Sequence, residues 1–240
     1  MSVINPKYWE ERFAQGTWSG EKWLDWEHGV ISRHAFRRIF PRDVKWVLDV
    51  GCGDGKWTRW MRKEFGVQTL GTDALDWPEV RGNTAYVHWD AESLEESSSI
   101  RGMKPDLVVL MNSLTCMVEW RKAVKSACKV SDRVLVFDNF MTPTPQFLKG
   151  LPHRRPIELP QVLCEFIAQF FTLEKMVPAD IFHRRLLLKT PRWSHPGVAA
   201  ITCGLDLIAS HVIRVADARH SALLFRKDPT IKKLEEAVGA

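Results

Sequence analysis

Short apolar runs alternate with amphipathic stretches along most of this chain. Val47-Leu48-Asp49-Val50, Val67 to Asp73, Thr84 to Trp89, Pro105 to Met111 and Asp132 to Asp138 are compact, largely hydrophobic and bounded by Gly, Pro, Asp or Asn, as strands are. The run from Pro105 to Met111 is apolar almost throughout, which suits a strand covered on both faces of a parallel sheet. Between these runs the spacing changes to that of helices. Trp57, Trp60, Met61 and Phe65 share one helical face, and Gly66 stands where a helix would stop. Val118, Ala123, Val124 and Ala127 mark another helix. Pro160 opens a third, lined by Val162, Leu163, Phe166, Ile167 and Phe170, with a short strand near Thr172 to Val177 after it. Gly29 to Phe40 reads as a helix ending in Arg37-Arg38, taken as a solvated face. Strands alternating with helices predict an α/β protein with a parallel sheet.

The turn after the first strand carries the strongest chemical signal. Gly51, Gly53 and Gly55 follow Asp49 and lead into a helix starting near Lys56. Glycines let the backbone turn sharply and approach a ligand with no Cβ in the way, while the helix start aims its amide donors at the same point. Two cofactor classes use such a turn, and the spacing separates them. A dinucleotide fingerprint needs Gly or Ala at its sixth place, where this chain has Lys56, and an acid at Asp49 would sit badly beside a pyrophosphate. An acid followed by Gly-x-Gly-x-Gly, here Asp49, Gly51, Gly53 and Gly55, resembles motif I of the class I S-adenosylmethionine-dependent methyltransferases.

That resemblance implies a Rossmann-like, seven-stranded, mostly parallel sheet with an antiparallel last strand, which Ser221 to Lys227 would supply, and helices on both faces. It also implies S-adenosyl-L-methionine as cofactor. Asp73 ends the second strand about 20 residues past the turn, where a carboxylate can hold a ribose diol. By the resemblance Asp49, Gly51, Cys52 and Gly53 line the cradle, Ala74 follows the ribose acid, and Asp90-Ala91 meets the adenine. Met111 and Asn112, at the carboxyl end of the fourth strand, would offer backbone carbonyls to the methionine moiety. Trp9 and Arg12, in an aromatic and basic N-terminal stretch that includes Trp18, Trp23 and Trp26, are candidates for its far end. The alternative for that helix is plain packing of its tryptophans on the sheet.

A length of 240 residues, 45% hydrophobic, fits one domain. Its expected parts are an N-terminal cap (1–44), a cofactor-binding core (45–140), substrate loops with a cap insertion (141–219) and the last strand (220–227). Pro178 to Arg219 is long for a connection and holds His183-Arg184-Arg185 and a helical stripe of Val198, Ile201, Leu205, Ile208 and Val212. It reads as a lid over the substrate pocket or a surface for a homodimer. Met141 to Leu159, with His153-Arg154-Arg155 among prolines, reads as a second substrate loop. Neither a secretory leader nor a charge-free membrane span is evident, so a soluble, cytoplasmic protein is expected. Cys52, Cys116, Cys128, Cys164 and Cys203 are scattered without metal-ligand spacing and read as reduced; no metal is expected.

Methyl transfer from a sulfonium depends chiefly on alignment and water exclusion, so no catalytic side chain is obligatory. Were the acceptor atom oxygen or carbon, His153, His183, His195 and Asp138 are the candidate bases, and none is assigned that role. Asn112-Ser113-Leu114-Thr115 lacks the prolines and aromatic of adenine-amino methylases, and no Pro-Cys pair for attack on cytosine occurs. A net charge of +5 permits an anionic partner, yet basic residues are spread among 29 acids. The favoured expectation is therefore a small-molecule acceptor. Open alternatives are an RNA or protein methyltransferase and a non-catalytic S-adenosylmethionine-binding module.

Overall fold

A computed structural model describes residues 5–14, 22–76, 85–140, 155–179 and 220–230. Two helices come first, α1 (Pro6–Ala14) and α2 (Lys22–Ile39). Strands and helices then alternate: β1 (Trp46–Val50), α3 (Lys56–Phe65), β2 (Gln68–Asp73), β3 (Tyr86–His88), α4 (Ser98–Met103), β4 (Leu107–Met111), α5 (Trp120–Val130) and β5 (Arg133–Asn139). The last elements are α6 (Leu159–Ala168), β6 (Phe171–Ala179) and β7 (His220–Lys227). Tight 3-10 turns occupy Ala91–Glu96 and Leu114–Cys116.

All seven strands join one sheet in the order β3-β2-β1-β4-β5-β7-β6. The first five run parallel, and β7 runs antiparallel to both β5 and β6. This is the sheet the resemblance implied. Strand order reverses between β1 and β4, so the carboxyl ends of these two strands border the crevice where open α/β sheets bind ligands.

Alternation along each strand sends side chains to two separate cores. Leu48, Val50, Val108, Leu110, Val134 and Val136 face α5 and α6, packing with Ala123, Val124, Val162 and Phe166. Val47, Leu107, Val109, Leu135 and Phe137 face the other way, onto Phe36 and Ile39 of α2 and Met61 of α3. Helices thus cover both faces, which is why the central strands tolerate almost no polar residue. Burying each large apolar side chain contributes roughly 1.5 to 3 kcal/mol.

Several expectations are corrected here. The second helix begins at Lys22, well before Gly29. Arg37 is not merely solvated: its guanidinium grips Glu64 of α3 through Nε at 2.6 Å and a terminal nitrogen at 3.1 Å. Val118 precedes α5 and is 36% exposed. Ile167 and Phe170 follow the apolar spacing of α6 but are 65% and 58% exposed: Ile167 sits beside the buried Phe166 on the outer face, and Phe170 lies beyond the helix end at Ala168, at φ +60°. The sixth strand extends to Ala179, so the long connection spans 180–219. That connection, residues 141–154, Trp18, Cys203, His153, His183 and His195 lie outside the described residues. Among the described residues Cys52, Cys116 and Cys128 are buried free thiols, Cys164 is an exposed one, and no helix is long and apolar enough to cross a membrane.

Candidate functional site

The chain leaves β1 through a turn that only glycine can make. Gly51, Gly53 and Gly55 have φ of +71°, +53° and +69°. At Gly51 a Cβ would also stand 2.6 Å from Ser113 Cβ, so the turn and the end of β4 touch backbone to side chain. Gly51 and Cys52 donate their N–H groups to Thr72 O at 2.8 and 3.1 Å, which folds the turn over the end of β2. From that strand end Asp73 reaches back. Its Oδ2 accepts the Gly53 N–H and its Oδ1 accepts the Leu75 N–H, both at 2.9 Å. The following α3 is anchored by Asp54, whose Oδ1 accepts the Lys56 N–H at 3.0 Å.

Beneath the turn, Asp49 is completely buried. Thr58 on the first turn of α3 donates its hydroxyl to Asp49 Oδ2 at 2.5 Å. Burial pushes the Asp49 carboxyl up to about 7, against the lowering effect of Thr58, with added repulsion from Asp73 and Asp54. Its Oδ1 has no hydrogen-bond partner among the described residues. Two more buried acceptors stand open just beyond β4. Asn112 occupies the left-handed region at φ +53°, pinned by its N–H to Phe137 O at 2.7 Å, and its Oδ1 is unpartnered; so is Ser113 Oγ. Buried polar atoms are normally satisfied, and three orphans around one turn mark a place built for a polar ligand.

Flanking elements complete the rim. Asp90 caps the 3-10 turn after β3 by accepting the Glu92 N–H at 3.0 Å, and Ala91 is buried beside it. His88 Nε2 lies 3.0 Å from Ala74 O, and the Tyr86 hydroxyl donates to Leu75 O at 2.6 Å. Trp9 of α1 is buried in a cluster with Leu75 and Cys116, with Tyr8 and Tyr86 packed against it. Helix α1 therefore lies across the edge, touching the chain after both β2 and β4. Asp138, buried at the end of β5, accepts the Thr115 N–H at 3.2 Å and the Thr115 hydroxyl at 2.9 Å. Arg155 donates its N–H to Thr115 O at 2.7 Å, bringing the chain just before α6 to the same edge.

Asp49, Gly51, Cys52, Gly53, Asp73, Ala74, Asp90, Ala91, Met111 and Asn112 thus gather along the carboxyl ends of β1 to β4, with Trp9 above them. Arg12 is on α1, but its side chain lies outside the described residues. Thr58, Ser113 and Thr115 were missed in the sequence. Ser113 directly follows a named position, and Thr58 sits in the helix turn nearest the glycines, so adjacency was the available signal. Thr115 offered none. Open acceptors and acids at these strand ends can receive a ligand rich in N–H and O–H groups and bearing positive charge.

Comparisons with known proteins agree with this geometry. A structure of the [4+2]-cyclase SpnF matches at TM-score 0.55 and 18% identity, over 84% of this chain and 80% of that one. A SAM-dependent methyltransferase from Archaeoglobus fulgidus matches at 0.56 and 17%, over 84% and 94%. The plantazolicin methyltransferase BamL, in complex with a triazolic desmethylPZN analog and SAH, matches at 0.52 and 12%, over 92% and 90%. Identities this low show the fold alone, and one of these proteins is a cyclase. No curated protein matches the chain in sequence. The reaction class rests on a family model described as a methyltransferase domain, which matches residues 24–178 and so takes in every strand from β1 to β5 together with the glycine turn. The chain accordingly belongs to that methyltransferase-domain family.

Proposed function

We propose that this enzyme takes S-adenosylmethionine as its methyl donor, seated on the glycine turn, and methylates a small-molecule acceptor. The residues present fit that donor. Gly51 leaves room where a Cβ would collide, and Asp49 Oδ1 and Asn112 Oδ1 are buried acceptors awaiting donors. In this reading Asp73 accepts from the ribose hydroxyls while bracing Gly53, and Asp90 with Ala91 borders the adenine. Gly51 to Gly53, Met111 and Asn112 surround the methionine part, with Trp9 and Arg12 closing over it. Bound there, S-adenosylmethionine supplies an electrophilic methyl group on a sulfonium. The chain's own work is to hold that group in line with the acceptor and to keep water away, which supplies much of the acceleration in such transfers.

One observation carries the choice of acceptor: α1 covers the edge, with Trp9 buried between Leu75 and Cys116. A covered, aromatic-walled site suits a compact, partly apolar molecule better than a polymer, which needs an open rim. BamL, which shares the fold, acts on plantazolicin by its name. We assign residues 1–44 to the cap, 45–140 to the donor site and 141–219 to acceptor selection, within one domain ending in β7, and place the enzyme in the cytoplasm, where free thiols stay reduced.

The test is to incubate purified protein with radiolabelled S-adenosylmethionine and fractionated cell extract. Label is expected in the small-molecule fraction, in the organic phase if the acceptor is lipid-like. Label in RNA or protein would replace this reading with a macromolecular one, and donor binding without label in any fraction would make the chain a binding module.

A further inference from the structure

One ionisable side chain at the centre of the sheet has no counter-ion among the described residues. Asp49 lies on β1 between Gly71 of β2 and Val109 of β4, neither of which can offer a charge or a side-chain donor. Thr58 of α3 satisfies Oδ2, and Oδ1 is unpartnered. The other groups facing it make ionisation harder. Asp73 on β2 and Asp54 in the turn carry like charge, while the nearby Cys52 thiol, pushed upward by burial, stays neutral and offers no compensating charge. The nearby cations face Asp54 instead: Lys56 Nζ lies 3.9 Å from its carboxylate, and Arg59 donates to its carbonyl at 2.9 Å. A charged carboxylate so placed is strongly disfavoured until positive charge is brought to it.

The two forms of the cofactor share their amino and carboxyl groups and differ in charge only at sulfur. The methyl donor carries a sulfonium cation, whereas the spent thioether is neutral at sulfur. We propose that Asp49 senses this difference: its Oδ1 keeps a proton while the cradle is empty or holds the thioether, and releases it to solvent when the sulfonium form binds. Only the carboxyl O–H bond breaks, the proton passes to buffer, and no electrons are exchanged. The inference rests on the donor site proposed above. It makes Asp49 a specificity-determining residue, because its ionised form favours the donor over the product and its neutral form does not. Donor affinity then falls as pH drops from 7 to 6, by about five-fold for a carboxyl titrating near 7, while thioether affinity does not fall with it.

Calorimetric titration of S-adenosylmethionine and S-adenosylhomocysteine at pH 7, in two buffers of different ionisation enthalpy, counts the protons exchanged. Wild-type protein is expected to release about half a proton more than Asp49→Asn on binding the donor, and no more than Asp49→Asn on binding the thioether. Subtracting the variant cancels protons exchanged by the ligands' own amino groups. Thr58→Val removes the donor that favours the ionised form, so it is expected to move the pH of half-maximal release upward, and it serves if Asp49→Asn does not fold. Infrared difference spectra of wild-type protein near pH 6 supply a check without variants: a protonated-carboxyl band is expected to shrink on adding the donor and to remain on adding the thioether. Equal proton counts for both ligands, whether or not the variants change them, would overturn the sensor and leave the donor site standing. Binding of neither ligand would overturn both.

Discussion

Gly51 and Gly66 both sit at positive φ, +71° and +67°, yet alanine at the two positions is predicted to act differently. Each substitution carries the strain of the left-handed region, about 1 to 2 kcal/mol. At Gly66, the C-cap of α3, nothing among the described residues lies within 4 Å of the new Cβ, so Gly66→Ala should lower stability by that amount in denaturant titration and leave donor affinity unchanged. At Gly51 the new Cβ meets Ser113 Cβ at 2.6 Å, and Gly51→Ala should lose donor binding by calorimetry as well as stability. Asp73→Asn turns one of two acceptor oxygens into an amide that opposes the N–H of Gly53 or Leu75. It is expected to weaken donor binding by about 1 to 3 kcal/mol; unchanged affinity in a folded variant would remove Asp73 from the site. Asp49 sets a pH dependence whose sign is unusual for a carboxyl. Its folded value is raised from 3.8 to about 7, so between those limits the native state holds the extra proton. The stability it contributes is therefore complete below about pH 4 and is lost as pH rises through 7, with a slope of at most about 1.4 kcal/mol per pH unit. Asp49→Asn should abolish that slope in ligand-free denaturation.

Helix α1 touches the site through a small cluster, and that makes its attachment separable from the fold. Trp9→Ala removes the side chain buried with Leu75 and Cys116, while both sheet cores stay intact. The expectation is faster proteolysis within residues 5–14 and weaker donor binding, with the main unfolding transition shifted little. A large loss of global stability would instead make α1 part of the core. Elements of this kind show where the sequence was legible. The glycine turn and Asp73 could be read because their chemistry is local: φ, helix start and strand end are set within a few residues. Pairings across long separations left no such mark. Arg37 finds Glu64 across 27 residues, and Thr115 finds Asp138 across 23, with no periodic pattern to announce either. Ile167 and Phe170 show the opposite failure, since apolar spacing predicts a buried face only where a core lies opposite it.

Across the molecule, seven strands place the chemistry on one edge. Parallel strands β1 to β5 all end on the same side, and the reversal of order between β1 and β4 opens the crevice that Asp49, Gly51, Asn112 and Ser113 surround. Strand order could be anticipated only through the family resemblance, because hydrophobic runs state that strands exist and not which neighbours they take. The opposite margin of the sheet, β6 against β7, carries none of the named donor-site residues. This separation gives the most direct measurement of the central claim, hydrogen–deuterium exchange across the whole chain with and without S-adenosylmethionine. The donor is predicted to slow exchange at residues 51–55, 73–75 and 111–113 and to leave residues 171–177 of β6 unchanged. Saturating donor that protects no amide in the first three segments, or protects β6 in their place, would contradict it.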